Sequence, residues 1–103
     1  MSHVFKALSD PTRRQILSYL REKPLSAGDL ADRFNVSKPT MSAHFTVLRE
    51  AGLVTSEKQG KSVIYQLQIS VLEEALLGFA KTFGLGEMPA SGTAQEKVMK
   101  ENG

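Results

Sequence analysis

A mostly α-helical domain with one small β-hairpin, ordered α-α-α-α-β-β-α, is the fold class this 103-residue sequence predicts. Three observations predict it. Two short amphipathic helices flank the turn Asn35-Val36-Ser37. Beyond them, two runs of strand-forming residues surround Gln59-Gly60-Lys61, and a helix with a broad apolar face follows from Ser70.

The first helix is short, with Val4, Phe5 and Leu8 at helical spacing. It stops before Ser9-Asp10-Pro11. There Asp10 is a capping residue, and Pro11 fits the first helical position, where its missing N–H costs nothing. The second helix carries the stripe Ile16, Leu17, Tyr19 and Leu20 and ends before Pro24. A third helix of two to three turns starts at Ser26, with Asp29 three residues on, close to a capping box, and a buried stripe of Leu30, Ala31 and Phe34. Val36 is expected to plug the following turn into the core. Ser37 caps the fourth helix, Pro39 lies in its first turn, and Gly52 closes it. Two amphipathic helices joined this tightly are a helix-turn-helix.

"LVTSEK" and "SVIYQL" read as two strands joined by a glycine turn. The fifth helix begins at Ser70, with Glu73 completing a capping box. Val71, Leu72, Ala75, Leu76, Phe79, Ala80 and Phe83 form its apolar face, and Gly84 ends it. Residues 1–84 are therefore expected to form the folded domain and residues 85–103 a polar tail, with room for a short helix over Thr93–Lys100. Helices followed by a basic hairpin and a closing helix describe a winged helix-turn-helix.

The fourth helix has an unusual front end. At about 100° per residue, Met41, Phe45 and Leu48 share the core side, and Pro39, Ala43 and Thr46 lie opposite. Lys38, Ser42 and Arg49 form one shoulder; Thr40 and His44 lie toward the other. The outward face is thus small, hydroxylated and sparsely basic. Small residues let a backbone sink into a groove, and Ser and Thr hydroxyls reach base edges in a DNA major groove. Lys38 has the reach for guanine or phosphate, and the helix N-terminus, with Ser37 beside it, favours phosphate. Lys58, Gln59, Lys61 and Ser62 cluster at the hairpin tip, where a basic wing meets the DNA backbone. His44 has two readings, a phosphate contact or a packed histidine. Lys58 and Lys61 also suit an edge strand as plain solubilising charges. One of Arg13 and Arg14 is assigned to a structural ion pair, with proximity to DNA as the second reading.

Composition narrows the function. Residues 1–69 carry ten Lys/Arg against six Asp/Glu, whereas residues 70–103 carry three against five, so the basic excess coincides with the helix-turn-helix and hairpin. The absence of cysteine excludes disulfides, thiolate metal ligands and thiol redox sensing. No apolar run approaches the roughly 18 residues of a membrane span, and no secretory leader is evident, so a cytoplasmic protein without membrane insertion is expected. His3 and His44 are not at metal-ligand spacing. The Gly84-to-Pro89 stretch lacks the third glycine and the preceding strand of a dinucleotide fingerprint. No enzyme, metal or cofactor is expected. The competing class is a winged-helix module that binds protein instead of DNA, which would show apolar anchors on the outward face of residues 38–49.

"VFKALSDPTRRQIL", "DLADRFNVSKPTMSAHFTVLREAGLV" and "GKSVIYQL" resemble the ArsR/SmtB family of dimeric bacterial repressors, over roughly residues 3–83. Within it the chain looks like the metal-independent, SdpR-like autorepressor group. The resemblance implies a homodimer on a double-stranded, palindromic DNA operator. Lys38, Pro39, Thr40, Ser42, Ala43 and His44 would lie on the recognition helix. Val4, Phe5, Leu8, Leu72, Leu76, Phe79 and Phe83 would lie on the dimerising first and last helices. The metal-binding members carry a Cys-x-Cys-type pair where this chain reads "DLADRF", and His/Asp pairs where it reads "SVLEEALLGFAKTF". Their release chemistry does not carry over, which leaves an unidentified effector or anti-repressor protein as an open partner.

Overall fold

The computed structural model describes residues 2–85. The expected tail beyond Leu85, and the short helix over Thr93–Lys100, lie outside the described residues. Helix α1 (Ser2–Leu8) buries Val4 and Ala7. Its last carbonyls have no partner within the helix, as at every helix C-terminus, and two arginines satisfy them. Arg13 donates from Nε to the Ala7 carbonyl at 2.8 Å and from Nη2 to that of Lys6 at 2.9 Å, and Arg14 Nη1 donates to that of Leu8 at 2.7 Å. Sequence reasoning assigns one arginine to an ion pair; the structure uses both as caps on α1.

Helix α2 (Pro11–Leu20) starts as expected. Asp10 Oδ2 accepts the Arg13 N–H at 3.1 Å, Pro11 takes the first turn, and Ile16, Leu17 and Leu20 enter the core. A two-residue strand, β1 (Leu25–Ser26), then precedes helix α3 (Ala27–Ala31). Ser26 caps α3 by accepting the Asp29 N–H at 3.0 Å. At five residues α3 is shorter than expected, and Phe34 falls in the turn after it. The Phe34 ring stands edge-on to Tyr19 with centroids 5.8 Å apart. That pair anchors the turn, and Val36 stays 40% exposed instead of plugging the core.

Helix α4 (Lys38–Glu50) buries Met41, Phe45 and Leu48. It ends in a Schellman motif: the Gly52 N–H reaches the Arg49 carbonyl at 2.9 Å, and the Leu53 N–H reaches that of Leu48 at 3.1 Å. Gly52 sits at φ 75°, and a Cβ there would meet only the Val71 side chain at an ordinary 3.9 Å. The backbone angle, and not crowding, therefore requires the glycine.

Strands β2 (Val54–Gln59) and β3 (Ser62–Leu67) form the expected hairpin in an antiparallel sheet ordered β1-β3-β2. The unexpected member is β1, where Leu25 pairs with Tyr65 and Ser26 with Ile64. Ile16, Leu30, Leu48 and Leu53 are the large side chains fully buried at the centre. Phe45 stacks on Tyr65 with centroids 4.5 Å apart, which fastens α4 to the middle of the sheet.

Helix α5 (Ile69–Thr82) begins one residue before Ser70, so Ser70 is a helical residue and the expected cap at that position does not form. Of the described residues, those through Glu73 belong to one compact unit and Glu74 to Leu85 to another. In the second unit Phe79 and Phe83 pack ring against ring at 4.8 Å, Thr82 Oγ1 donates to the Gly78 carbonyl, and Gly84 ends the helix at φ 73°.

Candidate nucleic-acid interface

The tip of α4 is built by its cap. Ser37 Oγ accepts the Thr40 N–H at 3.3 Å and donates its own proton to Thr40 Oγ1 at 2.9 Å. Thr40 therefore keeps its hydroxyl proton to donate outward. The Met41 N–H bonds to the Ser37 carbonyl, and Pro39 has no N–H, so Lys38 supplies the one uncommitted amide at the tip. Thr46 turns its hydroxyl proton back to the Ser42 carbonyl at 3.1 Å.

Ser37, Lys38, Pro39, Thr40, Ser42, Ala43, Thr46 and Arg49 are all exposed. Among the described residues, no hydrogen bond or ion pair holds the side chains of Lys38, Ser42 or Arg49. The buried stripe of α4 lies on the other side, and none of its large apolar side chains is exposed. This face offers two mobile cations, hydroxyls and small contours, a chemistry suited to phosphates and base edges.

His44 is placed differently. Its side chain is 13% exposed; Nδ1 lies 3.2 Å from Arg13 Nη1, and Nε2 lies 3.9 Å from Asp10 Oδ2. The ring is part of the framework between α2 and α4. Asp10 stays below the ordinary carboxylate range. Partial burial pushes it up, but the Arg13 N–H, attraction from His44 and Arg13, and the Thr12 N–H outweigh that. Sequence reasoning missed Arg13 as the centre of this cluster. The only signal was its place three residues after a capping aspartate.

The wing is the β2–β3 hairpin. Gln59 pairs with Ser62, which leaves Gly60-Lys61 as a two-residue turn, and Gly60 adopts the positive φ of 62° that such turns need at their first position. Lys58, Gln59, Lys61 and Ser62 are exposed around that tip. Gln59 makes a long 3.5 Å contact to Glu57, whereas Lys58 and Lys61 are held by no hydrogen bond or ion pair among the described residues. The Phe45–Tyr65 stack connects α4 to the strand that leads into the wing.

Of the residues expected at a dimer interface, Val4 is buried within the protomer, whereas Phe5, Leu8 and Leu72 are half-buried. Leu8 and Leu72 border an open groove of about 370 Å³ with Arg14, Leu17, Arg21 and Ile69. Leu76, Phe79 and Phe83 are exposed, as is Leu77 at 69%. No group of three or more His, Cys, Asp or Glu among the described residues is arranged to hold a metal ion, and no described helix is long and apolar enough to cross a membrane.

Comparison with known proteins agrees with this geometry. A family described as a helix-turn-helix domain matches residues 8–57. The transcriptional repressor SdpR of Bacillus subtilis is 42% identical over 76 residues, covering 74% of this chain and 84% of that protein. An arsenical resistance operon repressor of Staphylococcus xylosus is 41% identical, covering 71% of this chain and 70% of its own. A crystal structure of an ArsR family transcriptional regulator superposes with a TM-score of 0.75 at 28% identity, covering 84% of this chain and 89% of that one. The chain belongs to the ArsR/SmtB family of winged helix-turn-helix proteins and is a DNA-binding transcriptional repressor.

Proposed function

We propose that the protein represses transcription as a homodimer. Each copy would place α4 in a major groove and its wing on the flanking backbone of a near-palindromic operator. The observation that carries this reading is the exposed face of α4, where Lys38, Thr40, Ser42, Ala43, Thr46 and Arg49 meet solvent and no large apolar side chain of the helix does. A protein-docking face would show apolar anchors there. The exposed large apolar residues of the described chain instead begin with Val36 and continue along α5. In this reading Thr40 and Ser42 read bases, Ser37 and the Lys38 amide hold phosphate, and Lys58, Gln59, Lys61 and Ser62 hold the backbone. Two such copies put half-sites about one helical turn, or a multiple of it, apart.

The second copy would bind along α1 and α5, through Phe5, Leu8, Leu72, Leu76, Phe79 and Phe83. Val4, also assigned to that surface from the sequence, is buried within the protomer. Binding would need no metal, since the chain has no cysteine and the described residues bring no ligand cluster together. The protein would act in the cytoplasm, residues 85–103 would be dispensable for operator binding, and release would fall to an effector or anti-repressor protein.

Salt titrations on operator and scrambled duplex test the division between reading and holding. Ser42→Ala should lose about 1–3 kcal/mol on the operator and far less on scrambled DNA. Lys61→Ala should weaken both duplexes and flatten the salt dependence by about one unit of slope per lost phosphate contact. The reverse pattern would exchange the two roles.

A further inference from the structure

We infer that Arg13 is a positioning residue for DNA recognition: it clasps the recognition helix, through His44, to the C-terminal end of α1. All three guanidinium nitrogens are engaged. Nε and Nη2 bind the Ala7 and Lys6 carbonyls, and Nη1 meets His44 Nδ1 at 3.2 Å. A guanidinium only donates hydrogen bonds. Nδ1 of His44 is therefore the acceptor in this contact, which leaves Nε2 as the ring nitrogen that carries a proton. That nitrogen faces Asp10 Oδ2 at 3.9 Å, too far for a hydrogen bond but close enough for attraction. Asp10 is itself fixed because its carboxylate accepts the Arg13 N–H. One arginine thus joins three helices: the end of α1, the start of α2 and the flank of α4.

The clasp adds a second hold to that of the core. Met41, Phe45 and Leu48 hold α4 from its buried side, Phe45 by stacking on Tyr65. A hydrogen bond to the helix flank is directional and resists rotation about the helix axis. His44 is two residues from Ser42 and one from Ala43, so any rotation it permits is passed directly to the face proposed to read bases. Base contacts tolerate little error in position. The inference rests on the reading of α4 as the helix in the groove. It adds that α1, which we place at the dimer interface, sets the angle at which α4 is presented.

The test combines operator affinity, scrambled-duplex affinity and thermal melting for five variants. Arg13→Lys keeps the charge but cannot span two carbonyls and an imidazole. It should lose roughly tenfold on the operator, with little change on scrambled DNA. His44→Leu should do the same, and the double variant Arg13→Lys/His44→Leu should lose no more than either single change. His44→Asn, which offers an acceptor near the position of Nδ1, should recover most of the affinity. Additive losses would overturn the clasp. So would unchanged operator affinity in Arg13→Lys, or losses that are equal on both duplexes and follow the melting temperature. If His44→Leu does not fold, Arg13→Lys and His44→Asn decide the matter alone. Ser42→Ala separates the two layers of the argument. If it leaves operator preference intact, the reading of α4 fails, and the clasp with it. If it removes that preference while Arg13→Lys does not, only the clasp fails.

Discussion

Helices α4 and α5 are nearly equal in length, 13 and 14 residues, and both are amphipathic, yet they meet solvent in opposite ways. α4 hides Met41, Phe45 and Leu48 and shows hydroxyls, small residues and cations. α5 shows Leu76, Leu77 and Phe79, with Phe83 exposed just after it. Surface made of small polar groups is stable in water and awaits a polar ligand. Contiguous large apolar side chains mark a surface that another molecule covers. The same periodicity therefore predicts a helix in both places, and only the composition of the outward face separates the helix proposed to read DNA from the one proposed to associate.

The largest expected effect tests whether α4 is completed by its own chain. Leu48 is fully buried, and Leu48→Ala should destabilise the fold by about 2–5 kcal/mol in chemical denaturation. The double change Leu76→Asp and Phe79→Asp makes the contrasting test. Both side chains are exposed at 48% and 42%, so the protomer should stay folded while the proposed dimer gives way to monomer in sedimentation. An unchanged dimer would remove α5 from the interface. A smaller effect probes the framework beneath α4. The folded-state pKa of Asp10 is lowered, so the stability it contributes is present above its unfolded value and is lost as pH falls through the carboxylate range. Asp10→Asn retains a good capping residue without the charge. Its thermal midpoint should depend less on pH below about 5 than that of the wild type.

Much of this architecture was legible in the sequence because its punctuation is local. Asp10-Pro11, Ser37 and Gly52 act within a few residues of where they stand, and each does in the structure what its type implies. The Met41-Phe45-Leu48 stripe was equally plain. The missed features depend on residues far apart in the chain. Strand β1 is two residues long and exists through pairing with β3, some 40 positions later, so no periodicity could announce it. Val36 remains outside because Phe34 and Tyr19 already close the turn. Ser70 failed as a cap because the helix starts at Ile69, directly after β3, a boundary shift of one residue that pattern reading cannot resolve. Of the interface residues, exposure on α4 and the wing follows from the helical wheel and the hairpin turn. The role of Arg13 spans 31 positions to His44 and belongs to tertiary structure alone.

The most direct test of the contrast between α4 and α5 is a titration of isotope-labelled protein with operator DNA, followed by backbone amide NMR. The proposed division of roles predicts the largest shifts at residues 38–46, a second group at 58–62, and residues 74–83 nearly unmoved, since in the proposed dimer a second copy covers them. Shifts concentrated at 74–83, with 38–46 silent, would contradict it.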